Sequence, residues 1–183
     1  MAKRALRIMG WIAFVPLCLC LIAIVSLQFI APHRQVKHFG FALYTISTTQ
    51  SMEPFLKAHD LVAIKSTSFS DVQMGDVIAF RVDVAMNGRT RSVVVVHQVV
   101  EVVGVDSARL LRTQGMNRRT NPNPDPELIT QDNFVGQMAW QSRFLGNLIV
   151  FMQHPLGIFT IIFNTVCLIL FTKVYKSIQN IKE

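Results

Sequence analysis

Ser92-Val93-Val94-Val95-Val96-His97-Gln98-Val99-Val100-Glu101-Val102-Val103 is the strongest secondary-structure signal in the chain. β-Branched residues lose side-chain freedom in a helix and pack well on a pleated surface, so this run reads as a strand. Asn87-Gly88 lies just upstream, and both residue types tolerate the positive φ of a tight hairpin turn. Val77 to Val82, behind Gly75-Asp76, then supplies the partner strand. Downstream, a turn near Gly104 to Ala108 leads into Arg109 to Thr113 as the next strand. Shorter strands are expected at Ala42 to Ser47, Leu61 to Ile64 and Val135 to Trp140. Lys57-Ala58-His59-Asp60 reads as a turn, Ser66 to Gly75 as a polar loop, and the proline- and asparagine-rich Gly115 to Pro126 as irregular.

Apolar stretches flank this β-rich segment. Residues 8–31 carry no charge and follow Lys3, Arg4 and Arg7; their length suits an uncleaved transmembrane helix. A cleavable signal peptide has the same flanks but a shorter apolar run. From Pro155 to Thr172 there is again no charge, and Lys173 and Lys176 follow. About 18 residues rising 1.5 Å each span roughly 27 Å, enough for a second crossing at 155–172. A re-entrant or interfacial helix is the alternative. Asn164 sits inside this stretch, and its amide needs either the first helix or a backbone carbonyl as partner. The fold class expected is therefore a mostly β extracytoplasmic domain, residues 33–154, between an N-terminal and a C-terminal transmembrane helix. Phe144 to Val150 leads back toward the membrane. His33 and His38 read as headgroup-level polar residues, and Phe39, Phe41 and Tyr44 as residues that seat the domain on lipid.

Across its 183 residues the formal net charge is +7, much of it at the ends: Lys3, Arg4 and Arg7 before the first apolar stretch, and Lys173, Lys176 and Lys182 after the second. Positive residues prefer the cytoplasmic side, so both termini read as cytoplasmic and the central segment as exterior. That segment mixes charge signs without a long basic run. The basic excess therefore points to membrane lipid and topology, not to nucleic acid. Cys18, Cys20 and Cys167 all fall in the apolar stretches, so the exterior segment has neither a disulfide nor a thiol nucleophile. No motif suggests a metal or other cofactor.

Ser51-Met52-Glu53-Pro54 stands just outside the first apolar stretch. A serine hydroxyl needs an adjacent base to act as a nucleophile near neutral pH. The candidates are Lys57, His59, Lys65, His97 and His154. The strand period places His97 on one face with Val93, Val95 and Val99. A polar ring on an apolar face needs a partner. From this pattern alone a backbone carbonyl is the favoured partner, and a serine hydroxyl is the other.

Ser51-Met52-Glu53-Pro54, Asp60-Leu61-Val62, Gly75-Asp76-Val77-Ile78-Ala79-Phe80 and Val96-His97-Gln98-Val99-Val100 resemble the successive boxes of type I signal peptidases. The likeness is to the Ser-His branch found in the endoplasmic reticulum, archaea and some Gram-positive bacteria. It covers roughly residues 40 to 140 and implies a β domain of signal-peptidase type. It also implies a serine endopeptidase whose partners are secretory precursors bearing signal peptides. By that resemblance Ser51 matches the nucleophile and His97 the general base. Gly115 and Asn117 match the next box, where Met116 replaces an aspartate and the loop is longer. Asp125 then matches the acid that supports the histidine, with Asp132 as the fallback. Ser51 N–H and the Thr49 hydroxyl are the candidate oxyanion donors. Met52 and Pro54 shape the turn, Glu53 faces solvent, and Asp76 accepts turn N–H groups. Arg118 and Arg119 either pair with Asp125 or face solvent. Two other readings are a non-catalytic tethered β domain that binds or assembles, motivated by Met116 and the longer loop, and a peptidase based on Lys65.

Overall fold

The computed structural model describes residues 12, 14–16, 18–20, 22–24, 26–27, 30, 32–46, 50–86, 88–104 and 108–181. The strands among them are β1 (Phe41–Thr45), β2 (Leu61–Lys65), β3 (Val77–Met86), β4 (Arg89–Val103), β5 (Leu110–Gln114), β6 (Leu128–Ile129) and β7 (Phe134–Ser142). They form one sheet in the order β1-β2-β7-β3-β4-β5-β6. Every pairing is antiparallel. After the N-terminal apolar residues, the described α-helices are α1 (Pro32–Phe39), α2 (Arg143–Gln153) and α3 (Pro155–Ile181), with a short 3-10 turn at Phe69–Asp71. The chain divides into two compact units, residues 1–146 and 147–183.

The valine-rich run is strand β4, and its hairpin with β3 is in register from Val77↔Gln98 to Met86↔Arg89. Both strands run further toward the turn than the apolar pattern indicated. Asp83 and Ser92 face each other across the ladder without any hydrophobic signal. Backbone hydrogen bonding, not burial, sustains this outer part of the hairpin. Deeper in the sheet β3 serves two cores. Val77 and Ala79 join a cluster with Ala42, Ile46, Met52, Leu56, Val62, Ile64, Val96 and Val135. Ile78 and Phe80 join Phe69, Val72, Val99, Leu111 and Ile129. A strand buried on both faces needs apolar residues at successive positions, which is why Val77-Ile78-Ala79-Phe80 does not alternate.

Three local elements lie outside what the sequence pattern indicated. Helix α1 occupies what reads as a polar junction. Proline suits its first position, and Gly40, at φ 74, ends it with its N–H on the Val36 carbonyl at 2.9 Å. Within α1, Gln35 is buried. Its amide nitrogen donates to the carbonyls of Leu27 (2.9 Å) and Ile30 (2.7 Å), and its oxygen accepts the Leu43 N–H of edge strand β1 at 2.9 Å. Strand β6 is too short to leave a periodic signal. Helix α2 covers the apolar Phe144 to Val150, with the Ser142 hydroxyl accepting the Leu145 N–H at 3.3 Å in the manner of an N-cap.

Among the described residues one helix, Pro155–Val174 within α3, is long and apolar enough to cross a membrane. Its polar side chains are satisfied locally. Asn164 Nδ2 donates to the Thr160 carbonyl at 2.8 Å, and the hydroxyls of Thr160 and Thr165 donate to carbonyls four residues back. In hydrocarbon a polar group without a partner is costly, so this arrangement makes the span compatible with lipid. Of the expected first span, residues 8–31, the described residues 12, 14–16, 18–20, 22–24 and 26–27 are helical and Ile30 lies in a bend. The other residues of that span lie outside the described residues.

The Lys57 to Asp60 turn is built around a buried carboxylate. Asp60 accepts the Lys57 N–H at 2.8 Å and the Arg143 Nε–H at 3.2 Å. His59 adopts φ 71 so that its N–H reaches the Ile46 carbonyl at 3.1 Å. A side chain in the left-handed region crowds its own backbone, whereas glycine does not. Exchanging His59→Gly is expected to stabilise the fold by about 0.5–1 kcal/mol. Thermal unfolding of the detergent-solubilised protein checks this; an unchanged or lowered midpoint contradicts it.

Candidate active site

Strand β4 carries His97 opposite Ile78 of β3, with the Phe80 ring edge-on at a centroid distance of 6.1 Å. The imidazole is buried among apolar neighbours, so both ring nitrogens need partners. Neither partner is the backbone carbonyl that the strand pattern favours. Nδ1 lies 2.7 Å from Asp125 Oδ2, and Nε2 lies 3.0 Å from Ser51 Oγ. Three residues from a turn, a central strand and a loop thus form one hydrogen-bonded line.

Asp125 is anchored from the neighbouring strand. Its backbone N–H donates to the Thr113 carbonyl at 2.8 Å, and the fully buried Thr113 hydroxyl donates to the same Oδ2 at 2.7 Å. Burial pushes the Asp125 carboxyl up, but the hydrogen bonds from His97 and Thr113 and the charge of His97 outweigh it and hold the acid below its usual value. An ionised carboxylate only accepts hydrogen bonds, so Nδ1–H is the donor in the His97–Asp125 contact. In neutral His97 the Nε2 lone pair then points at Ser51 Oγ. That is the tautomer a general base requires.

Asp132 is exposed in the turn before β7, where its carbonyl accepts from Arg81. Arg118 and Arg119 are both exposed, and no ion pair joins them to Asp125 among the described residues. Asp76 accepts the Gln73 N–H at 2.8 Å, the turn role its position indicated. Lys65 sits in β2, paired with Phe41 and Gln137. Thr49 lies outside the described residues. Among those described, no group of three His, Cys, Asp or Glu side chains is arranged to hold a metal.

The Ser51 backbone is fastened by the loop after β5. Asn117 N–H and Asn121 Nδ2 donate to the Ser51 carbonyl at 2.8 and 3.3 Å, and Asn117 Nδ2 donates to the Gln50 carbonyl at 2.9 Å. Gly115 makes this approach possible: a Cβ there would stand 2.5 Å from the Ser51 carbonyl oxygen. From the other side, Met52 and Leu56 are buried in the first core and hold the turn that includes the cis Glu53–Pro54 bond. Met116 packs against the same core. Thr113 and Asn121 were not evident from sequence. Thr113 had one usable signal, a hydroxyl at an inward position of a strand beside the histidine. Asn121 sits in a loop without period and gave none.

A groove of about 590 Å³ opens beside the serine. It is lined by Tyr44, Ile46, Ser51, Met52, Val84, His97 and residues Val93, Val94, Val95 and Val96. Strand β5 pairs with β4 only from Gln98 onward. Residues 89–97 of β4 therefore have no strand on that side among the described residues, and their backbone is available for pairing. Comparison of the sequence with protein-family models and with curated proteins gives no match.

Thr113→Val keeps shape and removes one donor to Asp125. The Asp125 titration midpoint, followed by carboxyl NMR, should move up toward the ordinary aspartate value. Because the folded-state value is depressed, the stabilisation from this carboxylate is present above the unfolded value of about 3.9 and is lost as pH falls through the folded one. The variant should thus be less stable than wild type at neutral pH by about 1–2 kcal/mol, with the gap closing in acid. A pH-independent gap contradicts this assignment.

Proposed function

We propose that this protein is a membrane-bound serine endopeptidase of the type I signal-peptidase kind, Ser-His branch, which removes N-terminal signal peptides from secreted precursors. The observation that carries the reading is the unbroken line Ser51 Oγ–His97–Asp125 at the mouth of an apolar groove. Asp125 orients His97 and stabilises the imidazolium. His97 Nε2 takes the Ser51 proton as Oγ attacks the scissile carbonyl, and later gives it to the leaving amine. Water then releases the acyl-enzyme by the same base. The Ser51 N–H is the first oxyanion donor, and Thr49 is the second candidate. Each such donor is worth roughly 3 kcal/mol in the transition state.

The substrate class follows from the groove and the anchor. An extended peptide can add to the unpaired edge of β4 at residues 93–97, which brings a carbonyl to Ser51. Valine walls leave space for small apolar side chains and offer no charge partner, which suits an Ala-x-Ala cleavage segment. A membrane-length helix keeps the enzyme where such segments emerge. The charge distribution supports a multi-pass protein with both termini cytoplasmic and the β domain on the outer or lumenal face.

Ser51→Ala and His97→Ala should each lower precursor cleavage by at least about 10³-fold, and the double variant should be no worse than either single one. A fluorophosphonate probe should label wild type at Ser51 and neither variant. Cleavage by Ser51→Ala at the wild-type rate, in protein that remains folded, overturns the peptidase reading. Asn121→Ala removes the amide that holds the serine's carbonyl and, within its own loop, the Thr120 hydroxyl and the Asn117 carbonyl, so it should lower kcat about tenfold with little change in KM. An unchanged kcat removes Asn121 from the account.

A further inference from the structure

Away from the serine, helix α1 and strands β3 and β7 enclose a second cavity of about 370 Å³. Its apolar floor is Val36, Phe134 and Val135, and its polar lining is His33, Lys37 and Arg81. Arg81 is only partly satisfied. One terminal nitrogen donates to the Asp132 carbonyl, whereas Nε is buried with no hydrogen-bond partner. Among the described residues no carboxylate forms an ion pair with Arg34, Lys37 or Arg81. Asp83 and Glu127 line an adjoining cleft that Arg81 shares, without pairing with it. The positive field is felt locally: burial, then the guanidinium charges of Arg81 and Arg34, hold His33 below its ordinary value. The Arg81 Nε–H is a buried donor without an acceptor, and an anion in this cavity would supply one.

We propose that this cavity binds a phosphate group, accepted from Arg81 and Lys37, and that the group is the headgroup phosphate of an anionic lipid. The lipid source is argued from position. Gln35 on the same helix holds the carbonyls of Leu27 and Ile30, at the end of the apolar residues 8–31. The cavity therefore lies about one helical turn from that stretch, at the depth where headgroup phosphates sit when the stretch crosses a bilayer. The apolar floor takes glycerol and the first methylenes, and the cations take the charge. This site is independent of the peptidase reading, since it shares no residue with the Ser51 groove.

The test uses the full chain in neutral detergent, titrated separately with phosphatidylglycerol, phosphatidylcholine and inorganic phosphate while thermal unfolding is followed. Phosphatidylglycerol should raise the midpoint more than phosphatidylcholine at equal mole fraction. Lys37→Gln, at an exposed position, should weaken the apparent phosphatidylglycerol affinity about fivefold, and Arg81→Gln at least as much. A Lys37-dependent shift with inorganic phosphate alone retains the phosphate site but assigns its occupant to solution. Equal shifts with the two lipids and none with phosphate overturn the proposal. So does a Lys37→Gln protein that keeps the whole phosphatidylglycerol effect, whether or not Arg81→Gln folds.

Discussion

A buried imidazole with two polar partners is the constraint on which the rest of the structure depends. His97 is placed in the middle of an apolar sheet, where an unpaired ring nitrogen would cost more than a typical hydrogen bond returns. Its partners lie 46 residues upstream and 28 downstream along the chain. The fold must therefore bring a turn and a loop to opposite ends of one ring. The turn is held by Met52 and Leu56 in the core, and the loop by Thr113 through both its carbonyl and its hydroxyl. Hydrogen bonds that share members in this way reinforce one another in a low-dielectric setting.

The sheet edge beside that ring carries a second consequence. An unpaired strand edge is ordinarily a liability, because it invites any extended chain to pair. In this domain the outer strand β1 has its Leu43 N–H taken by Gln35. The exposed part of β4 has no such cover among the described residues, and it runs alongside the groove. On the proposed peptidase reading, an open edge beside Ser51 would let main-chain pairing align a peptide without demanding a particular sequence.

The membrane-facing features obey the same rule of local satisfaction. Threonine and asparagine in α3 bond to carbonyls of their own helix, so the span asks nothing of a neighbour. Gln35 does the reverse: its amide bonds the carbonyls of Leu27, Ile30 and Leu43 and the Leu43 N–H, tying α1 to the apolar residues before it and to β1 after it. Arg81 is the contrasting case, a buried donor left open in a cationic cavity.

Local signals in the sequence were enough for the β-rich class, the β3–β4 hairpin, the turn at Lys57 to Asp60 and the membrane-length helix, because each depends on neighbours a few residues apart. Ser51, His97 and Asp125 were legible as candidates through resemblance to a family pattern, whereas periodicity alone put the His97 ring against a backbone carbonyl. Tertiary structure alone decided the partners of that ring, the choice of Asp125 over Asp132, the support from Thr113 and the Asn117–Asn121 clamp on Ser51. It also decided helix α1, whose capping glycine reads equally well as a loop residue. The physical reason is distance along the chain: strand period and turn chemistry are short-range properties, while a hydrogen bond between residues 51 and 97 exists only once seven strands have set their register.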